Sequence, residues 1–553
     1  MSALDDQSWT RLYPATVDEF DIPTETSLID LLHSSRDRYA DQIALTFEDR
    51  TWTFDDLSVQ SHAFAHLLTE HGFGHEDRLA IILPNRPEYV FALFGTLIAG
   101  GIVVQVNHRY PAEEMRRILD DAGASMVITT DEALGRCAPD EGHSFLGRSV
   151  IRVDTAASRQ AGLRGIASVS ARDFLLHPPL TIPIDPSEVA VLQYTGGTTG
   201  AAKGVMLTHR NLIANIEQRF AVTYALFDLP GNAKTVNVLP MCHVYGLTCV
   251  TLTSVRGGMN QILIPEFDAA SVLEIIRAQR PAIFTGVPTM YMALTRIPDV
   301  DVYGLDQVAV YNSAGAGFPI EQIEQFEAKT GGRIIEGFGI SEASPTTHLN
   351  PVFSERRVGS IGIPMPRTDV RIVDCEGEDT IPLPPGEVGE MIIRGPQVMA
   401  GYWNQPELTN AALREGWLLT GDLAHRDGDG YFYIVGRKKD MIVTSGFNVY
   451  PAEVEQVLAR YPGIFEAAVI GVPDPYRGEA VRAYLVHDPD RPVSQTDLYE
   501  HCRRHLVGYK VPREYRFVPA LPRTPVGKIA KNKLDATVCT EVVAALTNQK
   551  EHH

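Results

Sequence analysis

Apolar positions along this chain follow two different periods. Through most of the first 330 residues, short β-branched runs ("RLAIILP", "GIVVQV", "ASMVIT", "VAVLQYT", "TVNVLP", "QILIP", "AIFTGVP", "QVAVYNSAG") alternate with longer stretches of helical spacing. This alternation predicts an α/β fold of parallel strands joined by helices, with ligands beyond the carboxyl ends of the strands. One segment, Tyr89–Val106, has 18 uncharged residues and nominally reaches the length of a membrane span. Asn85 and Pro87 read as a helix start, Gly100-Gly101 as a stop and "IVVQV" as a buried strand, so helix, turn and strand are expected instead.

After about residue 360 the pattern changes to turn-rich β sequence, "VRIVDCEGEDTIPLPPGEVGEMIIRG", which predicts a small barrel or sheet packed on the first part. A third pattern begins near Lys439: a strand "DMIVTSG", a helix "PAEVEQVLARYPG", strands "FEAAVIGVP" and "AVRAYLVHD", and a helix "QTDLYEHCRRHLVG". At about 110 residues this α+β set is long enough to be a domain. No internal repeat or low-complexity tract interrupts the chain.

Composition narrows the class. With 553 residues the chain exceeds one hydrophobic core, and about three or four folding units are expected. A content of 44% apolar and 21% charged residues is that of a globular protein. The net charge of −20 would repel nucleic acid and anionic membrane surfaces, so any phosphate ligand needs a local site. Six cysteines without CxxC pairing read as reduced thiols, and "MSALDDQSW" has neither the basic start nor the apolar core of a signal peptide. A cytoplasmic protein without a transmembrane segment is expected.

The stretch "YTGGTTGAAKGVMLTH", Tyr194–His209, brings candidate chemistry. Successive glycines let backbone amides converge on an anion, the hydroxyls of Thr195, Thr198 and Thr199 add donors, and Lys203 adds a point charge. The implied ligand is a polyphosphate. Gly200 is followed by Ala201-Ala202 before Lys203, so this is not the usual P-loop, and "GAGFPI" at Gly315–Ile320 lacks the third glycine of a dinucleotide fingerprint. A glycine-rich hairpin with a solvated lysine is the plain alternative for this stretch alone.

Further segments argue against that alternative. "IIEGFGISEAS" offers Phe338 as a stacking face with Ser341 and Glu342 as a hydroxyl and a carboxylate able to hold Mg²⁺. "GWLLTGDLA" offers Asp422 as an acceptor for ribose hydroxyls. "VGRKKDMIVTSGFNVYP" contributes Arg437, Lys438 and Lys439, and "LPRTPVGKIAKNKL" presents Lys528 on a Pro/Gly-bounded loop.

In this order the motifs resemble those of the adenylate-forming superfamily, which includes acyl-CoA synthetases, firefly luciferases and peptide-synthetase adenylation domains. "YTGGTTGAAKGVMLTHRN", "RKKDMIVTSGFNVYPAEVE" and "GYKVPREYRFVPALPRTPVGKI" are most similar to bacterial long-chain fatty-acyl-CoA synthetases, and the likeness runs from about Leu28 to Leu534. The resemblance implies an N-terminal adenylation domain, residues 1–438, of two mixed or parallel αβ subdomains and a small β subdomain. A small mobile α+β domain would follow at 439–553. It implies that a carboxylic acid, ATP and coenzyme A are converted to acyl-CoA, AMP and pyrophosphate through an acyl adenylate.

The resemblance also implies roles. Thr195, Gly196, Gly197, Thr198, Thr199, Gly200 and Lys203 would enclose the β- and γ-phosphates of ATP. Glu342 with Thr198 would bind Mg²⁺, and Phe338 would stack on adenine. Gly315 and Ala316 would line the adenine and acyl sites, and Glu336, Gly337, Gly339 and Ser341 would complete the nucleotide site. Asp422 would take the ribose hydroxyls, with Arg437 between ribose and phosphate. His243 would stand beside the carboxylate, and Tyr245, Gly246, Val287 and Gly317 would face the acyl group. Lys528 would act at the α-phosphate, with Lys533 as a rival in the same tail. Lys439 would be the hinge about which the small domain turns, and Gly446 would let pantetheine pass close to backbone.

Several positions depart from the superfamily pattern. Gly196 stands where many relatives have Ser, Ala202 for Pro, Ser341 for Thr and Phe338 for Tyr, all compatible with adenylation. Val443 occupies the place of a lysine in coumarate ligases and luciferases, which counts against those readings. Cys242 replaces a common Phe, so the mouth of an acyl tunnel would be wider. Since each buried methylene is worth about 0.8 kcal/mol, a tunnel grades chain lengths without sharply rejecting a neighbour. A medium- or long-chain fatty acid is the expected substrate, with an aryl or polycyclic acid, delivery to a carrier protein, a luciferase-type monooxygenase and a nucleotide sensor without turnover as alternatives. Long-chain acids partition into bilayers, so weak membrane contact is conceivable, although no basic amphipathic helix or lipidation motif supports it. Oligomeric state is not legible.

Overall fold

The computed structural model describes residues 7–17, 20–137, 144–153, 180, 182–195, 203–224, 232–352, 354–375, 377, 380–491, 493–523 and 529–534. Their strands form four sheets. The first has eight strands in the order Gly401–Tyr402, Lys203–Thr208, Val189–Thr195, Ile102–Gln105, Arg78–Ile82, Met126–Thr130, Arg148–Val153 and Ser144–Phe145. The five strands from Val189–Thr195 to Arg148–Val153 are parallel, and antiparallel strands close both edges.

The second sheet has nine strands, ordered Ile363–Pro364, Thr346–Leu349, Ile334–Gly339, Val310–Ser313, Ile283–Gly286, Lys234–Asn237, Asn260–Leu263, Ile43–Phe47 and Arg50–Thr53. The six from Ile334–Gly339 to Ile43–Phe47 are parallel. Each of the eight β-branched runs thus contains a parallel strand.

Period-2 alternation explains how the layers stack. Leu79, Ile81 and Val103 point into a core shared with helices Leu28–Tyr39, Phe54–Glu70 and Pro87–Ile98, which also touch Leu45 and Leu263 of the second sheet. Ala80, Ile82, Ile102 and Val104 face the other way, onto Met115, Ile118 and Leu119 of the helix Ala112–Ala122. Val236 and Phe284 likewise face an outer core with Val272, Leu273 and Leu294. A helical layer therefore lies between the two sheets and further helices cover their outer faces, which is why these strands are apolar on both sides.

The stretch with the length of a membrane span divides between a helix of this inner layer and the strand Ile102–Gln105 of the first sheet. Pro87–Ile98 is a 12-residue helix whose residues from Tyr89 onward are all buried, and at about 1.5 Å per residue it covers well under a bilayer's ~30 Å. Gly100, at φ 76°, ends it in a conformation that favours glycine. No helix among the described residues is long and apolar enough to cross a membrane.

The turn-rich region forms an antiparallel five-stranded sheet of Asp369–Val373, Gly389–Arg394, Trp417–Arg426, Leu413–Arg414 and Phe432–Arg437. A last five-stranded sheet, built from Ile442–Thr444, Phe447–Val449, Ile464–Asp474, Gly478–His487 and Glu514–Phe517, packs on helices Pro451–Ala459 and Gln495–His505 around its own core. Cys242, Cys249, Cys375 and Cys502 are free thiols.

Candidate active site

Thr195, Val287, Gly315 and Glu336 to Phe338 lie at or just beyond the carboxyl ends of parallel strands, whereas Asp422, Arg437, Lys439 and Gly446 lie in or between strands of the two antiparallel-rich sheets that follow. Val189–Thr195 turns back antiparallel into Lys203–Thr208, with Thr195 opposite Lys203. Gly196, Gly197, Thr198, Thr199 and Gly200 lie outside the described residues. The short strand Gly401–Tyr402 pairs with Lys203–Thr208, which sets the Tyr402 ring 5.1 Å from the Lys203 ammonium. The Tyr402 hydroxyl donates to Glu342 Oε1 at 2.9 Å, and burial, then Glu342, raises its pKa. The Met399 N–H also donates to the Glu342 carbonyl at 2.9 Å. Lys203 and Glu342, 139 residues apart, are thus joined through Tyr402. Sequence reasoning missed Tyr402, for which an aromatic after a glycine in "AGYWN" is the only local signal.

The strand Ile334–Gly339 carries Glu336, Gly337 and Phe338 side by side. Burial pushes the Glu336 carboxyl up to about 7, opposed by the Gly359 N–H that donates to it at 3.0 Å. Phe338 is half-buried, edge-on to His348 with ring centres 6.3 Å apart. A β-carbon on Gly339 would fall 2.3 Å from the Pro345 carbonyl oxygen, and Ser341 and Glu342 follow in the turn Ser341–Ala343. Gly315 has φ 86° in the loop after Val310–Ser313, followed by Ala316, and its added β-carbon would meet Val287 at 3.6 Å. The Gly317 position is open, with nothing within 4 Å.

Asp422 and Arg437 stand opposite each other across the third sheet's antiparallel ladder. Asp422 is buried, and the Arg437 guanidinium contacts its Oδ1 at 2.7 Å. Lys438 pairs with Glu390 at 2.8 Å. Burial lowers the Lys439 pKa; Asp440 and Asp422 oppose this, while Arg437 and Lys203 add to it. Lys439 therefore lies within electrostatic reach of both Lys203 and Asp422.

His243 begins the short helix Val244–Gly246, and its Nδ1 accepts the Tyr245 N–H at 3.2 Å. Buried Asn85 braces this segment: its side-chain amide donates to the carbonyls of Asn237, Leu239 and Ile264, and its oxygen accepts the Met241 N–H. Sequence reasoning saw in Asn85 only a helix start; it ties the carboxyl ends of the two large sheets together. Tyr245 joins Leu239, Cys249 and Val250 in a buried apolar cluster against Val287, Met290 and Ala314. Gly246 packs where a β-carbon would meet the Pro240 carbonyl oxygen at 2.3 Å.

Gly446 sits at φ 79° in the turn between Ile442–Thr444 and Phe447–Val449, with open space around it. A cavity of about 220 Å³ nearby is lined by Ser445, Arg477 and Arg513, among others. Lys528 lies outside the described residues, while the flanking Arg523 and Ile529 form a bridge. Lys533 lies near Glu114, whose pKa burial raises and Lys533 opposes.

The sequence pattern of the AMP-binding enzyme family matches residues 32–403, and that of the AMP-binding enzyme C-terminal domain matches 453–528. The chain is 40% identical to a long-chain-fatty-acid–CoA ligase of Bacillus subtilis, over 95% of this chain and 97% of that protein. It is 36% identical to a feruloyl-CoA synthase of an Amycolatopsis species, over 87% and 93%. The crystal structure of ATP-bound MatB from Rhodopseudomonas palustris superposes with a TM-score of 0.81 at 28% identity, covering 93% of this chain and 99% of that one. The chain therefore belongs to the AMP-binding enzyme family and, within it, to the adenylate-forming acyl-CoA ligases. Such ligases use ATP, Mg²⁺ and coenzyme A.

The residues present fit those groups. No set of three or more His, Cys, Asp or Glu among the described residues is disposed around a metal. A lone carboxylate such as Glu342 suits Mg²⁺, which keeps most of its shell as water and substrate phosphate. The half-buried Phe338 ring keeps part of its aromatic surface exposed, as stacking on a planar base requires, and a β-carbon at Gly317 would meet nothing within 4 Å.

Proposed function

We propose that this ligase activates medium- or long-chain fatty acids, with an N-terminal adenylation domain through residue 438 and a mobile domain from Lys439. The observation that carries the reading is the apolar cluster of Leu239, Tyr245, Cys249 and Val250. Its Cys249 touches Thr346 at 3.3 Å, and Thr346 pairs with Gly339 next to the Glu342 turn. An alkyl chain lying there is taken out of water at the door of a site that carries cations and a carboxylate.

In the first half reaction the acid's carboxylate attacks the α-phosphorus of ATP and pyrophosphate leaves. Lys203 faces the departing phosphates, His243 stands at the carboxylate, Asp422 and Arg437 hold the ribose, and Lys528 approaches the α-phosphate. One such electrostatic contact is typically worth about 3 kcal/mol, a hundredfold or more in rate. Mg²⁺ held by Glu342, with Thr198, would neutralise phosphate charge. In the second half reaction the domain turns at Lys439 and the thiol of coenzyme A, losing its proton, attacks the acyl carbon and expels AMP. The guanidinium groups of Arg477 and Arg513 beside the Gly446 turn suit a phosphate-bearing thiol, and the resemblance of "SGFNVYP" to acyl-CoA synthetases favours coenzyme A over a carrier protein.

The test is a panel of free acids of graded length and shape with ATP, Mg²⁺ and coenzyme A, followed by AMP and thioester formation. The expected result is a band of activity on aliphatic chains; activity confined to aryl acids would replace the fatty-acid reading with the one favoured by the feruloyl-CoA synthase likeness.

A further inference from the structure

A buried cation lies beside the apolar cluster. Arg219, on the helix His209–Val222 that Thr208 caps, is 2% exposed. Its Nη1 donates to Thr346 Oγ1 at 3.3 Å and its Nη2 to the Tyr224 hydroxyl at 3.1 Å, while Nε has no hydrogen-bond partner. Among the described residues no carboxylate acts on its charge, although the chain carries 69 Asp and Glu. A guanidinium keeps its charge under all physiological conditions, and burying it without a counterion is costly. Here the other groups near it are neutral. Those that act on its charge, Cys249, Tyr224 and Tyr245, are a thiol and two phenols whose own pKa values burial raises.

Two of those neighbours, Tyr245 and Cys249, belong to the apolar cluster, and Thr346 Oγ1 lies 3.3 Å from both Arg219 Nη1 and Cys249 Sγ. The Tyr245 hydroxyl is directed at the carbonyls of Gly286 and Asn312, at 3.4 and 3.5 Å. Several more buried polar atoms lack partners: Thr285 Oγ1, both side-chain polar atoms of Asn312 and Ser313 Oγ at these strand ends, and Thr248 Oγ1 on the helical segment Leu247–Leu252 that carries Cys249. Thr285 and Asn312 are paired in register and so share a face. Buried polar groups are nearly always hydrogen-bonded, so a cluster left unpaired beside a counterion-free guanidinium points to a ligand that brings oxygen atoms. A purely hydrocarbon tail would leave them all unsatisfied.

We propose that Arg219 is a specificity-determining residue and that the preferred acid carries a second oxygen acceptor besides its reacting carboxyl, a second carboxylate above all, read by Arg219 with Asn312 and Thr285 as supporting partners. This rests on the acyl-CoA ligase reading and names the substrate class within it.

The test compares three acids of equal chain length, unsubstituted, ω-hydroxy and α,ω-dicarboxylic, at several lengths, in wild-type enzyme and in Arg219→Met and Arg219→Lys. The wild type is expected to favour a distally oxygenated acid at least tenfold in kcat/KM. Arg219→Met should remove that preference while leaving the unsubstituted acid within about threefold, and Arg219→Lys should retain part of it. A wild-type enzyme that prefers the unsubstituted acid at every length overturns the proposal without needing a variant, as does an unchanged ratio in a folded Arg219→Met enzyme; water then satisfies the polar atoms. If no acid yields AMP, the ligase reading itself fails, which is a different result.

Discussion

Tyr402 links two residues that sequence reasoning named separately. Replacing it with Phe keeps the ring under Lys203 and deletes only the hydroxyl on Glu342. Hydrogen bonds to charged groups contribute about 1.5–3 kcal/mol, so Tyr402→Phe is expected to slow acid-dependent pyrophosphate exchange ten- to a hundredfold and raise the Mg²⁺ requirement. An unchanged Mg²⁺ titration would remove Tyr402 from the site. Glu336 offers a second residue-scale outcome. Its carboxyl titrates near about 7 in the folded chain against an ordinary 4.5, because burial disfavours the charge. The folded state then binds more protons than the unfolded one between those values. Its contribution to stability is complete below about pH 4.5 and is lost as the pH rises through about 7. Glu336→Gln should flatten the fall of Tm between pH 5 and 8 and raise Tm at pH 8. A variant that parallels the wild type over that range would show that Glu336 is not held protonated.

At the scale of elements, the eight apolar runs, the Pro87–Ile98 helix and the strands and helices after Lys439 were all legible, because period-2 and helical spacing are local properties that burial on one or two faces imposes. The return strand Lys203–Thr208 was not, since its identity depends on pairing with Val189–Thr195 and Gly401–Tyr402. Nor was the division of the parallel strands between two sheets, which follows from the helices buried between them. Glycines show the same contrast. Gly339→Ala puts a β-carbon 2.3 Å from the Pro345 carbonyl oxygen, whereas Gly317→Ala meets open space. The first should lower Tm by several degrees, a loss of about 2 kcal/mol or more. The second should leave Tm in place and alter only kcat/KM across the acid panel. Equal Tm values for the two variants would contradict this packing.

Over the whole molecule, the decisive outcome concerns the division of labour between the two parts. Lys528→Ala is expected to abolish adenylate formation while sparing thioester formation from a supplied acyl adenylate. Equal loss of both half reactions would defeat the assignment. Lys439 lies near Lys203 and Asp422, so a turn at that residue would reorganise the field at the phosphates along with the position of Gly446.

What the amino-acid order alone determined was most of the elements and the family, because each rests on short-range periodicity or on motifs of contiguous residues, and the same motifs supplied the candidate residues. What only the tertiary structure decided was company: Tyr402 between Lys203 and Glu342, Asp422 facing Arg437, Asn85 clamping two sheets, and Arg219 buried without a counterion beside an apolar cluster. Those contacts join positions up to hundreds of residues apart, and a chain's local pattern records which face of an element is buried but not which distant side chain it meets there.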